Sequence, residues 1–267
     1  MHTTNHSSLG PLVGRGATAE IRAWGSDQVI KLYHDDWPER KIAYEAEIGR
    51  RVHAIRVAAP AVGDYVQWNG KRGLIYERID GSSLGAAFQK EPWRVAEFAH
   101  LFAQTHAALH RHDASAFPAL RARLADRIRS ADLLAATKTN LIDRIDRLPD
   151  GDALCHGDFH FENVLLSSRG PVVIDWENVA HGDPLADVAR TSLLIRHAYL
   201  HTPPGGQRWL IRAGCALFHG LYLRWYAVLT GRSVDQIGAW RAPLAAARLS
   251  ENATVEARHL RQIAMTA

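Results

Sequence analysis

Cysteine, lysine and long apolar runs are all scarce in this chain of 267 residues. The two cysteines, Cys155 and Cys215, form no paired motif, so we expect buried thiols in a reducing cytoplasm rather than a disulfide. The first ten residues lack an apolar core, which argues against a signal peptide. The apolar segment 213–229 contains His219 and Arg224, and this favours a buried helix over a membrane span.

The charge balance gives little indication of a macromolecular partner. An apolar content of 47% and a charged content of 22% are typical of a globular protein. The net charge of +4 could suggest nucleic acid, but the arginines are dispersed and no aromatic-basic reader motif is present. We therefore expect no nucleic acid and no membrane partner, and a chain that is a monomer or a weak homodimer.

The most informative segment places two carboxylates and an amide in a fixed order. His156, Asp158 and Asn163 form a His-x-Asp-x4-Asn pattern, and the apolar residues 172–174 then lead into Asp175. Transfer of a γ-phosphoryl group requires a carboxylate at the attacking hydroxyl and oxygen ligands that hold Mg²⁺ on the phosphates. This pattern is typical of a kinase catalytic loop followed by its metal-binding Asp. The alternative is that Asp158 and Asn163 are loop residues that satisfy their own backbone.

The upstream sequence contains the parts that ATP binding requires, in the expected order. Gly14 and Gly16 lie in a turn between two predicted strands, and Lys31 lies on a third predicted strand, residues 28–33. Lysine is rare here, so a lysine in an apolar strand suits a contact with phosphate. The alternatives are an ordinary hairpin turn at the glycine pair and an edge-strand Lys31 that points to solvent.

A helix is predicted to follow, with Asp36 as its cap, Pro38 in its first turn and its end near residue 55. At 100° per residue, Glu45 lies on the apolar stripe of this helix and Glu47 on the opposite face. A buried carboxylate is costly unless it is paired. Glu45 is therefore the predicted partner of Lys31, unless it is a partly exposed rim residue.

The next landmark is a predicted strand, residues 74–77, that runs into a turn containing Gly81. In a two-lobed kinase this position is the hinge. The backbone near Glu77 and Ile79 would there meet the edge of the adenine ring. This interpretation depends on the order of elements along the chain.

From about residue 12 to residue 187, the chain resembles the aminoglycoside phosphotransferase family, which is similar to choline, homoserine and macrolide kinases. The residues that carry the resemblance are Glu45 with Pro60, Leu74-Ile75-Tyr76-Glu77 with Gly81, His156-Gly157-Asp158-x-His160-x-x-Asn163, Ile174-Asp175-Trp176, and Gly182-Asp183-Pro184-x-x-Asp187. The resemblance implies that Asp158 is the catalytic base and that Asn163 and Asp175 bind Mg²⁺. It also implies that Lys31 with Glu45 contacts the ATP phosphates, and that Asp187 braces the catalytic loop.

The expected fold is α+β and two-lobed, like that of protein kinases. Residues 1–78 would form a small lobe with an antiparallel β-sheet and one helix, which binds the nucleotide. Residues 79–267 would form a larger, mainly helical lobe for catalysis and substrate binding. The residues expected to bind ATP are Gly14, Gly16, Lys31, Glu45, Glu77 and Ile79. The expected activity is ATP- and Mg²⁺-dependent transfer of phosphate to a hydroxyl of a small molecule, in the cytoplasm.

Two rival functions remain open at this point. A protein kinase is disfavoured, because the residues between Asp175 and Pro184 include no Ser, Thr or Tyr and no Ala-Pro-Glu ending. A pseudokinase that binds nucleotide without chemistry usually lacks the base, the lysine or the metal Asp, and all three are present. For the acceptor, residues 191–267 contain nine Arg and three acids, which argues mildly against a polycationic aminoglycoside.

Two further groups of residues invite simpler interpretations. His106 and His110, four apart on a predicted helix over 98–111, are interpreted as packing residues rather than zinc ligands, because the usual zincin acid is missing from the sequence nearby. His160 is expected to shape the catalytic loop. Residues 121–147 are predicted to be a charged helical stretch with one solvated face.

Overall fold

The structure is a computed structural model that describes residues 9–16, 18–202, 205–251 and 254–266. These residues form two compact units. The first contains the described residues up to Ser83 together with Val164–Glu177, and the second contains Leu84–Asn163 and the described residues from Asn178 onwards. The sequence-based boundary between residues 78 and 79 stays a prediction.

The first unit is built on an antiparallel five-stranded sheet in the order β1-β2-β3-β5-β4. Its strands are β1 (Leu9–Arg15), β2 (Ala19–Trp24), β3 (Gln28–Tyr33), β4 (Val62–Trp68) and β5 (Lys71–Glu77). Turns with positive φ at Gly25 and at Asn69-Gly70 reverse the chain between neighbouring strands. Because β3 pairs with both β2 and β5, Lys31 lies on an interior strand and not on an edge strand.

One helix, α1 (Glu39–Ala54), packs against β4 and β5. Its inner face is buried and includes Glu45, whereas Glu47 is exposed, as the helical periodicity predicts. Gly49 permits the close approach of helix and sheet, since a Cβ at this position would lie 2.5 Å from Cγ2 of Val62.

The predicted cap of this helix was wrong. The residue before the first helical turn is Pro38, with an extended ψ of 134° and no side-chain cap hydrogen bond. Asp36 lies in a preceding turn, in which the amide of Trp37 donates to the carbonyl of His34. Its side chain is therefore two residues too early to serve as the cap.

A second, three-stranded sheet completes the first unit. It consists of β6 (Gly81–Ser83), β8 (Val164–Ser167) and β9 (Gly170–Val173), in the order β6-β8-β9. The prediction that Gly81 lies in a turn was wrong, because Gly81 pairs with Ser167 in this sheet. Glycine is required there, since a Cβ would lie 2.1 Å from the carbonyl oxygen of Leu166.

The second unit is mainly helical. Its helices are α2 (Leu84–Lys90), α3 (Val95–Leu109), α4 (Leu120–Ser130), α5 (Ala135–Arg147), α6 (Pro184–His197), α7 (Gly206–Thr230), α8 (Ile237–Arg248) and α9 (Ala257–Ala264). Two short strands, β7 (Ala153–Cys155) and β10 (Ala180–Gly182), pair antiparallel. Within the described residues, no helix combines the length and the apolar content that crossing a bilayer requires.

Two helix predictions in this unit need correction. The stretch 121–147 is two helices, because α4 ends at Ser130, the chain is extended at Ala131, and α5 begins only at Ala135. The segment 213–229 belongs to α7, which is buried on one face only. Leu217 is 55% exposed, so the helix that the sequence predicts to be buried is buried only in part.

Aromatic residues form the centre of the second unit. The ring of Phe102 on α3 lies 4.4 Å from the ring of Phe159, 5.6 Å from that of Phe218 and 5.3 Å from that of Tyr222. All four side chains are fully buried. Phe159 belongs to the loop after β7, so this core holds that loop in place.

Candidate active site

The loop after β7 carries the His-x-Asp-x4-Asn motif, within the second unit. Gly157 has a φ of 77°, and a Cβ there would lie 2.5 Å from the carbonyl oxygen of Asn178. Only glycine fits this backbone without strain. The chain turns at this glycine and then presents Asp158, while Phe159 is anchored in the core.

The carboxylate of Asp158 is partly exposed and has cationic neighbours. Nη2 of Arg190 lies 3.4 Å from its Oδ1, and Nε2 of His160 lies 3.5 Å from its Oδ2. Burial alone would raise the pKa of Asp158, but the hydrogen bond from His160 and the charge of Arg190 outweigh burial and hold the pKa well below its ordinary value. Asp158 is therefore ionised at neutral pH.

Three hydrogen bonds fix the backbone around Asp158. Nδ2 of Asn163 donates to the Asp158 carbonyl over 3.0 Å, and the Asp158 amide donates to Nδ1 of His156 over 3.2 Å. Nδ1 of His160 accepts from the amide of Glu162 over 3.2 Å, so its Nε2 carries the proton that faces Asp158. The prediction that His160 shapes the loop is thereby confirmed.

Asp187, on α6, braces the same loop through hydrogen bonds to its backbone. Its Oδ2 accepts from the amide of His156 over 2.6 Å, and its Oδ1 accepts from the amide of Gly157 over 2.9 Å. Helix α6 is capped by Asp183, whose side chain accepts from the amide of Leu185. The structure thus confirms the brace that the family resemblance implies.

Asp187 is also the centre of a buried cluster with His106 and His110. Nε2 of His106 lies 3.1 Å and Nε2 of His110 lies 3.4 Å from Oδ2 of Asp187. The fold therefore supplies an acid that the local sequence lacks, and the three side chains have the spacing of a candidate metal site. The Nδ1 atoms of both histidines are also hydrogen-bonded. The hydroxyl of Tyr222 lies 2.8 Å from Nδ1 of His106, and the hydroxyl of Tyr226 lies 2.7 Å from Nδ1 of His110.

The electrostatics of this cluster favour a neutral histidine. Burial and then the neighbouring His110 lower the pKa of His106 to about 4, against the opposing effect of Asp187. The pKa of Asp187 lies well below its ordinary range, because hydrogen bonds from His106 and His110 outweigh the effect of burial. The cluster is thus an ionised carboxylate held by several hydrogen-bond donors, which suits a structural brace.

Lys31 and Glu45 form the predicted ion pair in the first unit. Nζ of Lys31 lies 2.7 Å from Oε1 of Glu45. The hydroxyls of Tyr33 and Tyr76 also donate to Glu45, over 2.9 and 2.7 Å. Burial lowers the pKa of Lys31, but Glu45 and then Asp175 outweigh burial and raise it, so the ammonium stays charged. Glu45 is 7% exposed, which removes the alternative of a rim residue.

Asp175 lies in the first unit, two residues beyond the end of β9. Its φ of 65° is unusual for a residue with a side chain and is typical of strained functional positions. It is exposed, and it interacts electrostatically with Lys31 and Glu177. Burial, Asp175 and Glu45 together raise the pKa of Glu177, against the opposing effect of Lys31 and Lys41, so this end of the first unit concentrates negative charge near Lys31.

The remaining predicted ATP-binding residues lie on the same sheet or directly beside its strands. Gly14 lies within β1, opposite Ile21, and not in the predicted turn, whereas the amide of Gly16 donates to the carbonyl of Ala19 over 2.9 Å. Glu77 ends β5, where its amide donates to the carbonyl of Ala61 and its carboxylate accepts from the amide of Ala61. Arg169 also donates to the Glu77 carboxylate, over 2.6 Å. Ile79 follows in the segment before β6.

Comparison with known proteins decides the family. The model of the phosphotransferase enzyme family, known as APH, matches residues 14–228. The chain belongs to this family. This membership confirms the resemblance read from the motifs and the prediction that the chain is a kinase-type phosphotransferase. A search of curated proteins finds no match to the sequence.

Solved structures support the fold. The chain is similar to an aminoglycoside-3'-phosphotransferase of type VIII, with a TM-score of 0.62 and 20% identity over 91% of this chain and 92% of that one. It is also similar to an aminoglycoside phosphotransferase from Streptomyces rimosus in complex with ADP and streptomycin (TM-score 0.59, 16% identity, 92% and 94% covered). A macrolide 2'-phosphotransferase from Brachybacterium faecium matches with a TM-score of 0.52 and 14% identity, over 96% and 91%. The predicted kinase-like α+β fold of this phosphotransferase is thereby confirmed.

The structure adds residues that the sequence did not indicate. Tyr33 and Tyr76 bind Glu45, and a signal for them existed: Tyr33 lies two residues after Lys31 on the same face of β3, and Tyr76 lies on the neighbouring strand. Arg190 and its partner Glu251 had no such signal. They are 61 residues apart, and arginines are frequent throughout the chain.

Proposed function

We propose that this phosphotransferase moves the γ-phosphoryl group of ATP to a hydroxyl of a small molecule, with Asp158 as the base. The observation that carries the proposal is an ionised, partly exposed carboxylate on a loop that Asp187, Asn163 and His156 hold rigid. In the step, the acceptor oxygen forms a bond to the γ-phosphorus and the bond from that phosphorus to the bridging oxygen of ADP breaks. The hydroxyl proton passes to the Asp158 carboxylate and then to solvent.

The nucleotide side of the proposal involves the first unit. A charged Lys31, oriented by Glu45, would contact the phosphates, with the backbone of Gly14 and Gly16 near them. The amide and the carboxylate of Glu77 are engaged with Ala61, so Glu77 would offer its carbonyl to the adenine. The backbone of Ile79 would supply the second contact.

Asn163 and Asp175 are the proposed Mg²⁺ ligands. Their chemistry fits this ion, which prefers oxygen donors. Asp175 is an exposed carboxylate, and Nδ2 of Asn163 is committed to the Asp158 carbonyl, so the amide oxygen Oδ1 is the atom that remains for a cation. When bound, the ion would neutralise charge on the phosphates.

The proposed acceptor is a small molecule such as an aminoglycoside or macrolide antibiotic, or a metabolite. Two carboxylates of the second unit are already engaged by other groups and are poorly suited to a polycation. Asp183 is 4% exposed and accepts from Leu185 and from Nε1 of Trp240, and Glu251 is bound to arginines. We therefore propose an acceptor with fewer cationic groups than a typical aminoglycoside. Cytoplasmic action is part of the proposal, in accord with two buried free cysteines.

Two alternatives have weaker support. A protein kinase needs an activation segment and a peptide platform, but α6 begins at Pro184, nine residues after Asp175, and no Ser, Thr or Tyr lies between them. An inactive nucleotide-binding protein would not require an ionised carboxylate at position 158. The complete set of base, lysine and metal Asp favours catalysis.

The experiment is a screen for ADP or GDP release with ATP or GTP and a panel of aminoglycosides, macrolides, choline, homoserine and sugars. Once the screen has identified an acceptor, the Asp158→Asn variant can be tested. It should abolish transfer and keep nucleotide affinity within about twofold, because the base acts only in the chemical step. Asp126→Asn, at an exposed site on α4, is the matched control and should behave like the parent. Full transfer by Asp158→Asn would refute the role of Asp158.

A second variant tests the metal side. Asp175→Ala should weaken the binding of Mg²⁺-ATP, measured by calorimetry, while binding of ATP in the presence of EDTA changes little. Equal affinity of parent and variant for Mg²⁺-ATP would contradict the assignment of Asp175 as a metal ligand.

A further inference from the structure

Arg190 is a buried cation beside the proposed catalytic base. The residue is 3% exposed, and its Nη2 lies 3.4 Å from Oδ1 of Asp158. Removing a guanidinium from water is expensive, and such a group is retained in an interior only when it is paired. Nε of Arg190 is buried and has no hydrogen-bond partner among the described residues, which adds to the free-energy cost of burying this side chain. Packing alone therefore does not explain why an arginine stands at this position.

The guanidinium is held from its other side by Glu251. Nη2 of Arg190 lies 2.5 Å from Oε2 of Glu251, and Nη1 lies 3.1 Å from Oε1. This two-point contact fixes the plane of the guanidinium as well as its position. Burial lowers the pKa of Arg190, but Glu251 and Asp158 outweigh burial and raise it, so the group is a permanent cation.

Glu251 is itself fixed in the segment that follows α8. Nη1 of Arg127 donates to its Oε1 over 2.6 Å, and Nη1 of Arg248 donates to its Oε2 over 3.3 Å. Arg248 in turn binds Glu256 over 2.7 and 3.0 Å. Two elements of the second unit besides α6 therefore contribute to the position of Glu251.

The two supports of Asp158 lie on one helix. Asp187 and Arg190 are three residues apart on α6, so they project from the same face. Asp187 holds the backbone amides of His156 and Gly157, and Arg190 contacts the side chain of Asp158. One helix thus orients both the main chain and the carboxylate of the proposed base.

We propose that Arg190, held by Glu251, is a positioning residue that fixes the carboxylate of Asp158 toward the acceptor hydroxyl. This inference rests on the proposed function, in which Asp158 is the base. Because Arg190 is buried and engaged on both sides, it acts through Asp158 and does not touch the substrate. Misplacement of a catalytic group by about 1 Å can cost about 100-fold in rate.

The test compares Arg190→Met, Arg190→Lys and Glu251→Gln with the parent, using an acceptor found in the screen. Arg190→Met should lower kcat by about 10- to 100-fold and leave the KM for ATP within about twofold, since the nucleotide contacts lie elsewhere. Arg190→Lys restores the charge without the two-point contact and should recover part of kcat. The matched control is Arg129→Met, which removes an exposed arginine from α4 and should match the parent.

A double-mutant cycle separates positioning from a general structural role. Glu251→Gln should lower kcat in the parent but add little in the Arg190→Met background, because Glu251 acts through Arg190. Likewise, Arg190→Met should not lower the residual rate of Asp158→Asn further. Circular dichroism and thermal melting check folding, and if Arg190→Met does not fold, Arg190→Lys and Glu251→Gln still give a cycle.

The outcomes distinguish the two proposals. If Asp158→Asn abolishes transfer but Arg190→Met and Glu251→Gln keep the parental kcat, the positioning role is wrong and the base assignment stands. If Asp158→Asn keeps full activity, the proposed function itself fails. Equal losses in kcat and in ATP affinity for Arg190→Met would also overturn the proposal, since they would indicate general disruption.

Discussion

The brace at Asp187 leads to a quantitative prediction for Asp187→Asn. The carboxylate accepts from four donors, the amides of His156 and Gly157 and the Nε2 atoms of His106 and His110, at 2.6, 2.9, 3.1 and 3.4 Å. An asparagine side chain has one acceptor oxygen, so at least one donor would face an NH2 group. The variant also lacks the negative charge that strengthens these bonds.

The cost of this change follows from typical hydrogen-bond energies. Loss of one charge-assisted bond costs about 2 kcal/mol, and weakening of the other three adds about 2 to 3 kcal/mol. The removal of a buried charge offsets part of this loss, because a neutral amide is easier to bury. We therefore expect the free energy of unfolding to fall by about 3 kcal/mol, which is a large part of the 5 to 15 kcal/mol of a typical domain.

The assay is urea unfolding at pH 7, followed by circular dichroism, together with hydrogen exchange at the amides of His156 and Gly157. Both amides should lose protection in Asp187→Asn. The control is Asp126→Asn, at a side chain that is 77% exposed, which should change stability by no more than about 0.5 kcal/mol. A loss below about 1 kcal/mol in Asp187→Asn, with unchanged protection of the two amides, would refute the reasoning.

Two further predictions concern Lys31 and the buried histidines. Lys31→Met should lower kcat by about 100-fold and raise the KM for ATP in a steady-state assay, because the variant lacks the charge that contacts the phosphates. The control is Lys41→Met, at an exposed position on α1, which should match the parent in the same assay. Equal kinetics for both variants would exclude a phosphate contact at Lys31. Stability should fall as pH is lowered from 6.5 to 4, because unfolded His106 binds a proton with its ordinary pKa of 6.5 whereas folded His106 does so only at about 4. The difference amounts to about 3 kcal/mol, and a His106→Gln variant with the same pH dependence of urea unfolding as the parent would contradict it.

Local periodicity predicted the features that depend on one segment of chain. The inward position of Glu45 follows from the apolar stripe of α1, and the Asp183 cap follows from its place before Pro184. The partnership of Lys31 and Glu45 was also predictable, because a buried carboxylate needs a cation and lysine is rare in this chain. In each case the order of residues along the chain, including the kinase-like order that places Lys31 on the third strand, identified the residue that meets the requirement.

Contacts between distant segments were not predictable in this way. The bond from Arg190 to Glu251 joins α6 to the segment after α8, and many arginines could have met the same requirement. The cluster around Asp187 was missed for the same reason, since His106 approaches it from 81 residues earlier in the chain. The break between α4 and α5 was not predictable either, because residues 131–134 contain no Gly or Pro that would have marked it in the sequence.

Gly157 has a consequence for how such enzymes can diverge. Its left-handed backbone and the carbonyl oxygen of Asn178, 2.5 Å from where a Cβ would be, exclude every side chain at this position. Protein kinases have an arginine at the equivalent place in their motif. A change to that arginine would displace the turn before Asp158, so we expect a saturation library at position 157, selected for activity, to return glycine alone.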